Sequence, residues 1–326
     1  MNLSLHIVSS WLVMLAATVT ASHAQQKPQP APDYPNKTVH LVTAEPGGGQ
    51  DFIARLIAPG LAAFLGQPAI VENRGGSGTI APDIVARAAP DGYYLLVAGS
   101  TFWVASLIRK TTYDPVKDFT PIAFTVNSPN ILSVHPSVPA KSVRELIELA
   151  KAKPGVLNYA GAGIGSSSHL GAELFKSLAG VNIQHIPTKG SGPAALAVLG
   201  GDVQMTFATP ASVNPHIKSG KLRAVAVTSP KPSALAPGLP TIADTLPGFE
   251  IGAASAMFAP AGTPAAIVNR LNREVVRVLS QAEIKEKFFI AGLETVGSSP
   301  EESAASLKSE IARLGKVVRD TGIRED

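Results

Sequence analysis

The sequence predicts a two-lobed α/β protein with mainly parallel sheets, and three observations carry that expectation. Apolar strand-like runs alternate with amphipathic helical patterns along nearly the whole chain. Two loops rich in glycine and hydroxyl residues each stand between such a run and a helix. At 326 residues, the chain exceeds what one hydrophobic core usually serves, so two lobes are the default.

The strand candidates are 39–42, 69–71, 93–97, 131–134, 157–159, 203–207 and 222–227, several rich in Val, Ile, Leu or Tyr and bounded by Gly, Pro or Asn. Helical patterns lie between them. Val143, Leu146, Ile147 and Ala150 share one face; Ile267, Leu271, Val275 and Val278 share another; Leu307, Ile311, Leu314 and Val318 a third. Pro264 and Pro300 stand where a first helical turn tolerates proline. Pro59 falls inside the helix expected over 50–65 and predicts a kink or break there.

Composition narrows the class. Hydrophobic residues make up 45% and charged residues 16%, the balance of an ordinary folded chain. A net charge of +4 is small for this length, and no basic run carries interleaved aromatics, so nucleic acid is not an expected partner. There is no cysteine, which excludes disulfides, thiolate metal sites, a cysteine nucleophile and a lipidated cysteine. The histidines at 40, 135, 169, 185 and 216 lack ligand spacing, and neither a metal nor a cofactor is expected.

The first 24 residues carry no Lys, Arg, Asp or Glu, and an apolar stretch over 7–19 precedes Ser22-His23-Ala24, a small-x-small pattern. Residues 1–24 read as a cleaved secretory signal, the run being shorter than the ~20 apolar residues of a membrane span. The alternative is an N-terminal membrane anchor. Residues 25–35, rich in Pro and Gln, read as a flexible leader. A secreted, cysteine-free, two-lobed chain suits a bacterial periplasm.

The two loops are Pro46-Gly47-Gly48-Gly49-Gln50-Asp51 and Gly161-Ala162-Gly163-Ile164-Gly165-Ser166-Ser167-Ser168-His169. Each precedes a helix, whose first N–H groups have no partner in the helix and whose dipole favours negative charge. In open α/β sheets ligands bind outside the carboxyl ends of strands, where both loops fall. A tight turn needs only one glycine with positive φ, so three in a row point to close approach of a ligand to the backbone. One serine suffices for an N-cap, which leaves the others of Ser166, Ser167 and Ser168 free to donate. An enzyme reading finds little support. Gly165-Ser166-Ser167-Ser168-His169 misses the nucleophile-elbow pattern at its last position, and HExxH, the phosphate loop and GxGxxG are all absent.

The ordered segments Pro46-Gly47-Gly48-Gly49-x-Asp51-x-x-Ala54-Arg55, Val71-Glu72-Asn73-Arg74, Ala88-Ala89-Pro90-Asp91-Gly92-Tyr93 and Tyr113-Asp114-Pro115-Val116-Lys117-Asp118-Phe119 resemble one known family. The series continues through Ser166-Ser167-Ser168-His169-Leu170, Pro187-x-Lys189-Gly190, Pro215-His216-Ile217-Lys218-x-Gly220-Lys221-Leu222-Arg223 and Ala259-Pro260-Ala261-Gly262-Thr263-Pro264. The family is that of the solute-binding proteins of tripartite tricarboxylate transporters, also called Bug-type receptors. The resemblance implies a type II periplasmic binding-protein fold, with 25–126 plus 254–326 as one lobe and 127–253 as the other. It also implies a small organic carboxylate as ligand, hinge closure upon it, and a membrane permease as partner to a monomeric receptor. A periplasmic ligand sensor would use the same cleft.

The chain departs from the family at Thr43-Ala44-Glu45, where members often carry Pro-Phe, and at Thr188, where many carry Tyr. Ser100-Thr101-Phe102-Trp103 is unusual as well. These departures imply a roomier, flatter pocket and a ligand whose two carboxylates are joined by an aromatic or extended spacer. Citrate-like or small four-carbon acids are the alternative.

The expected ligand-binding set takes Ala44, Gly47, Gly48, Gly49 and Asp51 from the first loop, and Ser166, Ser167, Ser168 and His169 from the second. Thr79, Ser100, Thr101, Trp103, Thr188 and Thr209 complete it. Asp51 would repel an anion, so it is expected to orient its loop, pairing with Arg55 at i+4. His169 stands in the first turn of its helix, where the dipole favours the neutral ring. Trp103 is either core or a ring wall for an aromatic ligand.

Overall fold

The computed structural model describes residues 33–75 and 79–324. The signal, its cleavage pattern and residues 25–32 lie outside the described residues. The leader's last residues are docked rather than flexible. Tyr34 packs on Tyr93 with ring centroids 5.1 Å apart and donates its hydroxyl to the Gly92 carbonyl at 2.6 Å.

Strands β1 (Val39–Thr43), β2 (Ala69–Asn73) and β3 (Tyr94–Gly99) pair in parallel in the order β3-β1-β2. Helices α1 (Gly49–Leu65), α2 (Ile80–Ala86) and α3 (Ser100–Ile108) follow them in turn. The same sheet is completed by β4 (Phe119–Pro129), β10 (Gly252–Pro260) and β11 (Glu294–Thr295), all antiparallel, giving the order β11-β4-β10-β3-β1-β2.

Between Pro129 and Gly252 the chain builds a second sheet from β5 (Ile131–Val134), β6 (Asn158–Gly161), β7 (Gln184–Pro187), β8 (Met205–Ala208) and β9 (Arg223–Val227), in the order β7-β6-β8-β5-β9. Its helices are α4 (Val143–Ala152), α5 (Ser167–Ala179), α6 (Ser191–Leu199) and α7 (Pro210–Lys218). After β10 come α8 (Ala265–Leu279), α9 (Ala282–Ile290) and α10 (Pro300–Thr321).

The two-sheet α/β architecture matches the expectation, but the sheets are mixed rather than mainly parallel. Strands β6, β7 and β8 run parallel, whereas β5 pairs antiparallel with β8 and β9. The physical reason lies in the crossings. A chain that leaves one sheet along β4 and returns along β10 must set those strands against each other, and they pair from Gly252↔Pro129 to Pro260↔Phe119. The sequence shows four strands poorly: β4, β7, β10 and β11. Strand β10 is made of Gly, Ala and Ser with one Met, one Phe and a Pro, yet its last six residues are buried. Strand propensity there comes from packing, not residue type.

Helix α1 is not broken by Pro59, which the sequence marked for a kink or break. Pro59 lies on the exposed side of the helix, as does Arg55, whose carbonyl loses its donor to the proline. On the opposite face Ile53, Ile57 and Leu61 join Leu271, Val275 and Val278 of α8 in one core. Gly60 permits that approach, since a Cβ there would fall 2.9 Å from Val278 Cγ2. A second core extends from Val42 and Leu96 through Trp103 and Leu314 to Leu170, Phe175 and Phe207, and so underlies both sheets.

Candidate functional site

The first glycine loop is held from below by a buried carboxylate. Asp51, 4% exposed, accepts hydrogen bonds from Gly47 N–H at 2.8 Å, Arg55 Nε at 3.0 Å and Asn73 Nδ2 at 2.9 Å. Arg55 Nη2 also donates to Asn73 Oδ1 at 2.9 Å, and Asn73 Nδ2 reaches the Ala44 carbonyl at 3.3 Å. The Arg55 guanidinium, aided by Gly47 and Asn73, holds the Asp51 carboxyl down at about 2 against the cost of burial. Its oxygens are therefore committed to shaping the loop.

Above it, the loop presents bare backbone. Gly47 has φ +75°, which requires glycine, but a Cβ at Gly49 would meet no atom within 4 Å. No packing demand explains that second position. Gly48 is the N-cap of α1 and provides no side-chain cap, so the first N–H groups of α1 keep no side-chain partner there. The same holds at the carboxyl ends of other strands. Gly99 precedes α3, Gly190 precedes α6 and Thr209 precedes α7, none with a side-chain cap bond. By contrast, α4 and α10 are capped by Ser142 and Ser299.

Gln50 joins the first loop to the start of α3. Its Oε1 accepts a hydrogen bond from Ser255 Oγ at 2.6 Å, and its Nε2 would lie 2.6 Å from a Cβ at Gly99. Ser100 is half-buried and Thr101 exposed at the same helix start. Trp103 is a correction. It is 0% exposed and packs among Phe102, Phe124 and Phe258, with Nε1 donating to Glu310 Oε2 at 3.3 Å. It is three residues along α3 from Ser100, on the face turned to the sheet, so its ring forms core and no ligand wall.

The second loop is tied from within and against α3. Ser166 caps α5, its Oγ accepting from His169 N–H at 3.2 Å. Ser168 Oγ accepts from Ala162 N–H at 2.9 Å and lies 3.0 Å from Ser166 Oγ. Ser168 is 2% exposed, so it shapes the loop; Ser167 is half-buried and receives Asn130 Nδ2 at 3.2 Å. Gly165 has φ +78°, and a Cβ there would fall 2.7 Å from Ile108 Cδ1. The loop thus leans on α3, which starts beside Gln50.

His169 is buried, and Gly165 N–H points at its Nδ1 at 3.5 Å. Burial, reinforced by the nearby His185 ring at 4.8 Å, brings its pKa down to about 4. The ring is neutral at pH 7 as expected, but through desolvation and not chiefly through the helix dipole. His185 stacks on Tyr159 at 4.7 Å, and burial depresses it too.

The remaining candidates occupy loop positions after strands. Thr188 spends its hydroxyl on the carbonyls of Gly161 at 3.0 Å and Gly190 at 2.9 Å. Thr209 Oγ1 lies 3.0 Å from Ser212 Oγ. Thr79 precedes α2 and its carbonyl accepts from Asp83 N–H at 3.1 Å. Lys189 is exposed, and the Glu45 carboxylate lies over the Gly75 backbone, 2.6 Å from where a Cβ would stand. Sequence reading misses Gln50, Asn73, Asn130 and Ser255, polar residues whose partners are far away along the chain. Cavities of about 280, 430 and 860 Å³ are lined by other residues: the crossing strands with α10, the 111–117 segment, and the groove between α7 and α9. Among the described residues, no helix is long and apolar enough to cross a membrane.

A family model described as a tripartite tricarboxylate transporter family receptor matches residues 53–323. BugT of Bordetella pertussis is 36% identical over 303 residues, covering 91% of this chain and 93% of that protein. Among solved structures, an R. palustris protein with adipate is 37% identical with a TM-score of 0.76, covering 90% of this chain and 99% of that one. MatC from Rhodopseudomonas palustris with bound malate is 34% identical with a TM-score of 0.73, covering 87% and 100%.

Proposed function

The chain belongs to the tripartite tricarboxylate transporter receptor family, and we propose that it captures an organic dicarboxylate between its lobes and delivers it to the membrane permease of such a transporter. The family is one of solute receptors, not enzymes. The observation that carries the ligand class is the pair of glycine-rich helix starts at strand carboxyl ends, Gly47–Gly49 on one sheet, where α1 has no side-chain cap, and Ser166–Ser167 on the other, where the Ser166 hydroxyl caps α5 and Ser167 stands half-buried beside it. One carboxylate end goes to each. Four to six charge-assisted hydrogen bonds at about 1.5–3 kcal/mol each offset ordering costs and reach roughly micromolar affinity.

Closure occurs about the two crossings, where β4 runs into β5 and where the chain returns at Gly252. The receptor works as a monomer in the periplasm after loss of residues 1–24. With Trp103 in the core, the aromatic spacer loses its support. Relatives solved with adipate and malate favour an aliphatic chain of about four to six carbons instead.

The test is a thermal-shift panel on the protein starting at Gln25, with aliphatic dicarboxylates, citrate and phthalate-type acids. Aliphatic dicarboxylates are expected to raise the melting temperature in a concentration-dependent way. A response to cations or neutral sugars, with none to any carboxylate, overturns the reading.

A further inference from the structure

Asn130 is 0% exposed at the one position between β4 and β5, and the second glycine loop accounts for only half of its carboxamide. Its main chain is fixed on both counts. The N–H donates to Thr228 Oγ1 at 2.7 Å and the carbonyl accepts from Thr228 N–H at 3.0 Å. Register sets where it stands. Ile131 pairs with Ala208 across antiparallel β5 and β8, so Asn130 is level with Thr209, the first residue beyond β8. Strands β6 and β8 are parallel, so this is the edge from which α5 and α7 both start.

The carboxamide is only half used. Nδ2 donates to Ser167 Oγ at 3.2 Å, at the first residue of α5. Oδ1 is buried and has no hydrogen-bond partner in the protein. A buried acceptor without a donor is costly, and native folds satisfy nearly all of them. Hydroxyls along this edge are engaged elsewhere: Ser166 with Ser168, and Thr209 with Ser212. No donor of the chain lies within hydrogen-bond reach of Oδ1, so a donor for it is supplied by solvent or by a bound molecule.

We propose that Asn130 is a specificity residue: its Oδ1 accepts a hydrogen bond from a hydroxyl or ammonium group on the carbon chain of the bound dicarboxylate, next to the carboxylate held at the start of α5. The proposal rests on the receptor reading above and narrows its substrate class to donor-substituted acids. Hinge opening at the β4–β5 crossing, two residues or fewer from Asn130, uncovers the group to an entering solute. A site built to hydrogen-bond a substrate hydroxyl discriminates strongly against the analogue that lacks it, because its own polar atom is then left unpaired.

Isothermal titration calorimetry on the wild-type protein with matched pairs decides the matter: succinate against malate and aspartate, and glutarate against 2-hydroxyglutarate. The donor-bearing member of at least one pair is expected to bind about tenfold tighter or more. That advantage is expected to vanish in Asn130→Ala, with its melting curve recorded to establish folding; the wild-type pairs stand on their own if the variant does not fold. Parity within every pair, or preference for the unsubstituted acid, overturns the proposal while leaving the receptor reading intact. Preference for the unsubstituted acid would mean that the amide is turned over, with Nδ2 facing the guest. Binding of no dicarboxylate at all removes the receptor reading and the proposal with it.

Discussion

Asp51 and His169 each stand beneath a glycine loop, and their titrations share a sign, stability falling with pH, but differ in window. Asp51 is held down at about 2 from an ordinary 3.8, so its contribution is present above pH 4 and is lost as pH falls from about 4 to 2. His169 falls to about 4 from 6.5. Between those values the unfolded chain takes up a proton that the folded chain refuses, so stability declines as pH drops from 6.5 toward 4. Urea midpoints across that window are expected to slope less steeply in His169→Gln, while His185, also depressed by burial, keeps part of the slope. Asp51→Asn removes the ion pair with Arg55 and slackens Gly47. Calorimetry should show ligand affinity falling about tenfold, the size of one charge-assisted bond. The Asp51–Arg55 pairing is legible in the sequence because four residues on a helix place side chains together. The pairing of Gln50 with Ser255 is not, the two being 205 positions apart, and neither is that of Asn130 with Ser167. Trp103 is ambiguous for a different reason: a Trp shortly after a strand carries no sign of which face of its helix it will occupy.

At the scale of elements, the legible parts are those whose local pattern repeats what packing demands. The buried residues of α8 include Ile267, Leu271, Val275 and Val278, the stripe read from spacing alone. Strand β10 defeats such reading because a central position rewards small residues that fit between neighbours, not branched ones. The contact between the second loop and α3 is likewise a matter of space. Gly165 needs positive φ and lies where any Cβ would meet Ile108. Gly165→Ala is expected to cost about 1–2 kcal/mol for the left-handed backbone, plus the steric push that lifts the loop from α3. Adding Ile108→Val, which deletes the offending Cδ1, should restore the steric part and leave the backbone part. Denaturant midpoints for the two single variants and the double variant measure this. If the double variant is no better than Gly165→Ala, the loop does not lean on α3.

Across the whole molecule, apolar packing and a polar tie hold the lobes in different ways. One core runs beneath both sheets through α3, α5 and α10, so the sides of the lobes that meet at α10 are joined by burial. At the crossing strands the joints are polar. Ser233 Oγ donates to Glu294 Oε1 at 2.9 Å, and Arg313 of α10 donates through Nη1 to the Glu250 carbonyl, two residues before the return strand. Arg313 Nη2 also donates to Glu310 Oε1 at 2.7 Å, and Glu310 in turn receives Trp103 Nε1. Burial raises the Glu310 pKa, which Arg313 opposes. Removing the cation therefore does more than delete one bond. Arg313→Ala leaves a half-buried carboxylate against the Trp103 edge without its counter-charge, and about 2 kcal/mol should be lost in urea unfolding. Arg313→Ala with Glu310→Gln should recover much of that loss, because the unpaired charge is gone even though the tie to Glu250 is still missing. The two effects part in ligand binding. Both variants free the Glu250 carbonyl, so both should shift affinity by the same factor if this tie sets the balance between open and closed lobes. Equal stability of the two variants would mean that Glu310 is neutral in the folded protein and that Arg313 acts only on the return strand.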